Sequence, residues 1–127
     1  MAAPLKSLAA FLLLLLLCMV SGGRGCTYSG IQIGTERTGR EIEGEVEWKV
    51  TVTNTCDCLQ KHVTLSCKGF SPVKRAEPWL MLQRGDSCLL VKGEALPAKA
   101  SAQFTYAGQP YIFRPIGSMV DPSCNKP

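Results

Sequence analysis

The clearest pattern in the chain is a strict alternation of apolar and polar residues over positions 41–54. A helix would scatter the polar side chains around its circumference, so the alternation predicts a half-buried strand. We expect its apolar side chains to face a core and its acidic side chains to face water. The acidic positions are Glu41, Glu43, Glu45 and Glu47, and the apolar positions include Ile42, Val46, Trp48, Val50 and Val52.

Shorter alternating or apolar segments follow the same principle, and Gly, Pro and polar turn residues separate them. They occupy residues 31–33, 63–67, 89–91, 102–106 and 111–116. Six or seven short strands predict an all-β domain, a single small antiparallel β-sandwich or partly open barrel. Residues 71–83 leave room for one short helical turn at most, because Pro72 and Pro78 interrupt any longer helix.

The N-terminus predicts a secretory signal peptide. Lys6 precedes an apolar run over residues 8–20, and small residues ending at Gly23 follow it. A membrane anchor needs about 20 apolar residues, and this run is shorter. We therefore expect a signal peptide over residues 1–23 and a secreted cysteine-rich β domain over residues 24–127, with no membrane span after the signal is removed.

The cysteine count agrees with secretion. The chain has seven cysteines, and Cys18 leaves with the signal peptide. An even number in an oxidising compartment predicts a framework of three disulfides. Cys56 and Cys58 are too close to pair with each other, so each should hold a different partner; the remaining connectivity is open. The six cysteines are Cys26, Cys56, Cys58, Cys67, Cys88 and Cys124.

The charged and nucleophilic residues do not form a catalytic pattern. Without Lys6 the net charge is +3, with both signs mixed, which does not favour nucleic acid as a partner. His62 is the only histidine, and one residue between Cys56 and Cys58 is too few for a zinc or redox motif. We predict a protein that is not an enzyme and that binds no metal or cofactor.

Two features are candidates for partner contact. The four glutamates of the alternating segment could pair with a basic surface, although a solvated face is the simpler interpretation and paired catalytic carboxylates are the least favoured one. Trp79, beside Pro78, is a candidate hot spot for a partner if it is exposed. A different function for a secreted β-sandwich is binding of carbohydrate or of the cell wall. That function requires a row of exposed aromatic rings. Its candidates are Tyr28, Trp79, Tyr106 and Tyr111.

The ordered cysteines and their neighbours resemble the plant tapetum determinant family along nearly the whole mature chain. No single motif carries the resemblance. Its components are Ile31-Gln32-Ile33, Asn54-Thr55-Cys56-Asp57-Cys58, Cys67-Lys68-Gly69-Phe70, Ser87-Cys88-Leu89-Leu90, Phe104-Thr105-Tyr106-Ala107 and the closing Cys124.

This resemblance implies a secreted plant signalling protein. Members of the family act as ligands for the extracellular domain of a leucine-rich-repeat receptor kinase and specify cell fate in the anther, between tapetum and spore-forming cells. Val91-Lys92 and Ala95 depart from the family pattern, which indicates a divergent paralogue. The expected partner is therefore such an ectodomain, and the expected location is the apoplast.

Overall fold

The computed structural model describes residues 26–125. The predicted signal peptide and Cys18 lie outside these residues, so that part of the interpretation stays a prediction. The described chain contains seven strands and three short 3₁₀ turns, with no α-helix among these residues. The strands are β1 (Ile31–Ile42), β2 (Glu45–Asn54), β3 (Gln60–Ser66), β4 (Met81–Arg84), β5 (Ser87–Leu90), β6 (Ser101–Ala107) and β7 (Arg114–Val120).

The strands form two open antiparallel sheets around one core. One sheet has the order β1-β2-β6, and the other has the order β4-β5-β3-β7. This arrangement confirms the predicted all-β sandwich. Inward side chains of both sheets make the core, since alternate residues of a strand point to the same face. They include Val50, Val52, Val63, Leu65, Met81, Leu90, Phe104 and Tyr106.

The prediction of one continuous strand over residues 41–54 is wrong at its start, because the chain reverses there. Glu43 and Gly44 have φ values of 53° and 79° and connect β1 to β2. Positive φ at both central residues is typical of the type I′ turn, whose twist suits a two-residue hairpin. Beyond the turn, Ile42 lies opposite Glu45. The odd-numbered residues of β2 therefore share a face with even-numbered residues of β1.

The other strand predictions are confirmed in part. Residues 63–67, 89–91 and 102–106 contribute the buried side chains expected of them in or beside β3, β5 and β6. Strand β7 begins only at Arg114, and Ile112 is exposed. Neither β4 nor the full length of β1 was predicted. The proline-flanked segment 71–83 contains a hydrogen-bonded turn at 77–81 rather than a helix.

A cluster of aromatic rings packs the loops onto the sandwich. The ring of Phe70 lies 4.9 Å from that of Tyr106, 5.1 Å from that of Tyr111 and 4.9 Å from that of Phe113, all between centroids. Tilted and edge-to-face contacts at such distances are favourable. They hold the segments before β4 and before β7 against the core.

Candidate interaction surface

Three disulfides join the six cysteines predicted to form them. Cys26 pairs with Cys56, Cys58 pairs with Cys124, and Cys67 pairs with Cys88. Their Cα atoms are 5.6, 6.0 and 5.9 Å apart, within the usual range. Cys56 and Cys58 thus hold different partners, as predicted, and each fastens one end of the domain to the loop after β2.

A buried amide network, which no pattern in the sequence predicts, shapes that loop. Asn54 is fully buried, and its Nδ2 lies 2.8 Å from the carbonyl oxygen of Cys58 and 3.0 Å from that of Leu96. Its Oδ1 accepts hydrogen bonds from the backbone N–H of Cys56 and from Gln60 Nε2. Buried amides are stable only when such partners satisfy them. The only sequence signal was the asparagine two residues before a cysteine.

The hairpin turn separates the acidic residues that were predicted to share one face. Glu41 lies opposite Val46 and Glu45 opposite Ile42, so Glu41 and Glu45 point to opposite faces, with Glu43 in the turn between them. Glu41 and Glu43 are exposed and Glu45 is partly exposed. Within residues 26–125 these three carboxylates, here called the acidic tip, make no ion pair.

Glu47 corrects the expectation that all four glutamates face water. Its side chain is 6% exposed, although it lies on the outer face of β2. Thr38 Oγ1 donates a hydrogen bond to Oε1 at 2.8 Å. Arg40 Nε lies 3.8 Å from Oε1, and Lys74 Nζ lies 4.0 Å from Oε2. A buried carboxylate needs such partners, so Glu47 has a structural role and is not a solvated surface residue.

The base of the hairpin is fixed by Trp48. Its indole Nε1 donates a hydrogen bond to the carbonyl oxygen of Gly108 at 3.1 Å, and the guanidinium of Arg37 lies 5.4 Å from its ring centroid. Trp48 packs partly buried against the core, as its position in the alternation predicted. Between Arg37 and Glu41 the register with β2 shifts, so β1 carries a bulge here.

Lys74 and Arg75 form a dibasic pair in the segment between β3 and β4. Only Arg75 is exposed. Lys74 pairs with Ala107 through both backbone hydrogen bonds, at 3.3 and 3.1 Å, and so extends the sheet beside β6. This pairing also brings the Lys74 ammonium to Glu47, because Ala107 lies between them across the sheet.

Trp79 fulfils the condition for a hot spot, since 59% of its surface is exposed. It lies in the turn where Leu80 N–H and Met81 N–H both donate to the carbonyl oxygen of Glu77. Beside this turn is a cleft of about 310 Å³. Its lining includes Phe70, Ala76 and Met81, with Arg75 and Glu77 also contributing.

The aromatic residues proposed for carbohydrate binding do not form an exposed row. Tyr106 is fully buried, and its hydroxyl accepts a hydrogen bond from Tyr111 N at 2.9 Å. Burial raises the pKa of the Tyr106 phenol, and that hydrogen bond opposes the rise. Tyr111 is half-buried and donates its hydroxyl to the carbonyl oxygen of Lys68 at 2.7 Å. Of the four candidates, only Tyr28 and Trp79 are exposed.

Among the described residues, the side chains that could bind a metal ion do not cluster. His62 is exposed, and its imidazole packs against Gly93, where an added Cβ would lie 2.6 Å from Nδ1. Among residues 26–125, no three His, Cys, Asp or Glu side chains are grouped to hold a metal ion. The same residues include no helix with the length and hydropathy of a membrane span.

Comparison with known proteins gives one match. A protein-family model described as tapetum determinant 1, C-terminal, matches residues 27–120. This range contains all seven strands and four of the six paired cysteines, while Cys26 and Cys124 flank it. Neither the curated proteins nor the solved structures gave a match.

Proposed function

Because the chain belongs to the tapetum determinant family, we propose that it is a secreted ligand for the extracellular domain of a leucine-rich-repeat receptor kinase. In this proposal it acts in the apoplast and influences cell-fate specification in the anther, between tapetum and sporogenous cells. The match over residues 27–120 carries the proposal, since it spans nearly the whole described domain. The three disulfides fit an oxidising extracellular setting.

We assign the main contact to the acidic tip, Glu41, Glu43 and Glu45. These carboxylates lie at the turn of the β1–β2 hairpin without an ion-pair partner among the described residues. Unpaired charges at an accessible position attract a complementary surface and raise the association rate. The tip would therefore meet a basic patch on the receptor.

We assign a second contact to Trp79. A tryptophan that is 59% exposed can bury a large area in a partner's pocket at a low cost in conformational entropy. Energetically important contacts of this kind are concentrated in a few residues. Trp79→Ala would then weaken receptor binding through a faster dissociation rate, while the acidic tip acts mainly on association.

The experiment is a binding screen of the oxidised mature chain against a panel of purified ectodomains of leucine-rich-repeat receptor kinases. Surface plasmon resonance on immobilised ectodomains should show saturable binding to at least one of them. The reduced and alkylated chain is the matched control and should not bind, because it lacks the disulfide framework. If no ectodomain binds the oxidised chain at micromolar concentration, the proposed function is wrong.

Carbohydrate binding is not retained as a second candidate. It required a row of exposed rings, and Tyr106 and Tyr111 are engaged in the core and in hydrogen bonds to the backbone. An isolated Tyr28 or Trp79 does not make a binding platform for a polysaccharide.

A further inference from the structure

We infer that Glu47 is a positioning residue for the acidic tip. It orients the tip by joining the β1 bulge to Lys74. This inference rests on the proposed function, because it concerns the surface that would meet the receptor. The residues that contact the Glu47 carboxylate come from two separate parts of the chain. Together they form the Glu47 cluster, which consists of Thr38, Arg40, Glu47 and Lys74.

The first half of the cluster closes the bulge. Thr38 Oγ1 donates to Glu47 Oε1 and also accepts a hydrogen bond from Arg40 N at 3.2 Å. The side chain of Thr38 thus ties the irregular backbone of β1 to β2 where the ladder between the strands is interrupted. Bulges bend a strand and change its twist, so a contact at the bulge affects the direction of the hairpin beyond it.

The second half joins the hairpin to the rest of the domain. Lys74 pairs with Ala107, and Ala107 pairs with Glu47, so the three residues lie side by side across the sheet. The ammonium of Lys74 reaches across Ala107 to Glu47 Oε2. Gly108 N–H donates to the carbonyl oxygen of Val46 at 3.0 Å, next to Glu45 at the base of the tip.

The burial of the Glu47 carboxylate makes its contacts with the other residues of the cluster energetically important. The Glu47 side chain is 6% exposed, whereas those of Arg40 and Lys74 are 73% and 42% exposed. The carboxylate can leave water only while these groups surround it. A hairpin held in one orientation presents its three carboxylates as a fixed set, and such preorganisation lowers the entropic cost of binding.

The test compares Glu47→Gln with Glu36→Gln. Glutamine keeps the volume of Glu47 and can still accept from Thr38, but it removes the charge that holds Arg40 and Lys74. Glu36 lies on the neighbouring strand β1 and pairs with Lys49 at 3.1 Å, yet it is 66% exposed and outside the cluster. Both variants change the net charge equally. Any difference between them therefore measures the effect of the Glu47 charge within the cluster.

Amide hydrogen exchange followed by mass spectrometry is the first readout, and it needs no partner. In Glu47→Gln we expect about fivefold faster exchange in peptides covering 38–46 and 72–75, with β3 unchanged, because local opening involves only the affected segment. Glu36→Gln should exchange like the unaltered chain. Lys74→Met removes one cation at a partly exposed site and should give a smaller increase in the same peptides.

The second readout is the affinity for the ectodomain that binds the unaltered chain in the screen. Glu47→Gln should bind about threefold to tenfold more weakly, and its effect should not add to that of Lys74→Met, since residues in contact are coupled. Unchanged exchange at 38–46, or equally faster exchange in β3, overturns the inference. The failures are distinguishable: if neutralising the acidic tip weakens binding but Glu47→Gln does not, the inference fails and the proposed function stands.

Discussion

Gln60 Nε2 donates a hydrogen bond to Oδ1 of Asn54 at 3.0 Å, and both side chains are fully buried. The same Gln60 nitrogen also donates to the carbonyl oxygen of Thr27, and Ser118 Oγ donates to Gln60 Oε1. This network joins the start of the domain, the loop after β2 and strand β7. It therefore orients the segment that carries Cys56 and Cys58 toward their separate partners.

The first prediction concerns Asn54→Ala. The substitution takes its partner from the buried carbonyl oxygen of Cys58 and removes one of the two acceptors of Gln60 Nε2. We expect a loss of about 2–3 kcal/mol in the free energy of unfolding and a larger fraction of mispaired disulfides after oxidative refolding. Urea unfolding and non-reduced peptide mapping measure these quantities.

Thr51→Ala is the control for Asn54→Ala, because Thr51 lies on the outer face of β2 three residues earlier. It should change stability by less than about 0.5 kcal/mol. Native pairing and unchanged stability in Asn54→Ala would show that the network does not guide the cysteines.

The second prediction concerns the turn at the acidic tip. Gly44 has a φ of 79°, where an L side chain is strained, so Gly44→Ala should cost about 1 kcal/mol of stability. Gly34→Ala is the matched control, since Gly34 lies in β1, has no positive φ, and an added Cβ there meets no atom within 4 Å. Equal stabilities of the two variants in thermal unfolding would contradict the assigned turn.

Much of the fold was predictable because its signals are local. Val50, Val52 and Phe104 follow the alternation that fixes the inner face of their strands, and all three are buried. The hairpin at Glu43-Gly44 escaped prediction because the apolar–polar alternation runs through the turn without interruption. Nothing in the pattern marks the residue at which the chain reverses.

The candidate site was less predictable because its contacts are distant in sequence. Glu47 has the sequence environment of an exposed strand residue, and it is buried only because Thr38 and Lys74 reach it from other segments. Asn54 donates to carbonyl oxygens that follow it in the chain, and that of Leu96 is 42 residues away. Periodicity reports which face a residue occupies, but not what covers that face.

The third prediction concerns stability at high pH. Burial raises the pKa of the Tyr106 phenol above its usual value of about 10 in the folded chain. The stabilising contribution is therefore complete below pH 10 and is lost as the pH rises through the higher folded pKa, because the unfolded chain releases the proton first. The free energy of unfolding should fall above about pH 10.

Tyr106→Phe tests the source of that fall. The variant loses the hydroxyl that accepts from Tyr111 N, so it should be less stable at neutral pH. It should also show a shallower decline between pH 10 and higher values, measured by urea unfolding at each pH. An identical decline in both chains would mean that another group is responsible.

The fourth prediction concerns the disulfides. The bond between Cys58 and Cys124 closes a separation of 66 residues, against 21 for Cys67 and Cys88. Restricting a longer loop of the unfolded chain is more stabilising, so alanine at both ends should cost about 4 kcal/mol for the first bond and about 3 kcal/mol for the second. Denaturant unfolding of the two double variants gives the comparison. The reverse order would show that native contacts, rather than loop entropy, dominate.

The most direct test of the proposed ligand function is the affinity of a neutralised acidic tip for the ectodomain found in the screen. The tip variant replaces Glu41, Glu43 and Glu45 with glutamine, and the control variant carries Glu36→Gln, Asp86→Asn and Glu94→Gln at other exposed sites. Surface plasmon resonance should show about tenfold weaker binding of the tip variant, mainly through slower association at low salt, and little change in the control. Equal affinities of the tip variant and the unaltered chain would contradict the account.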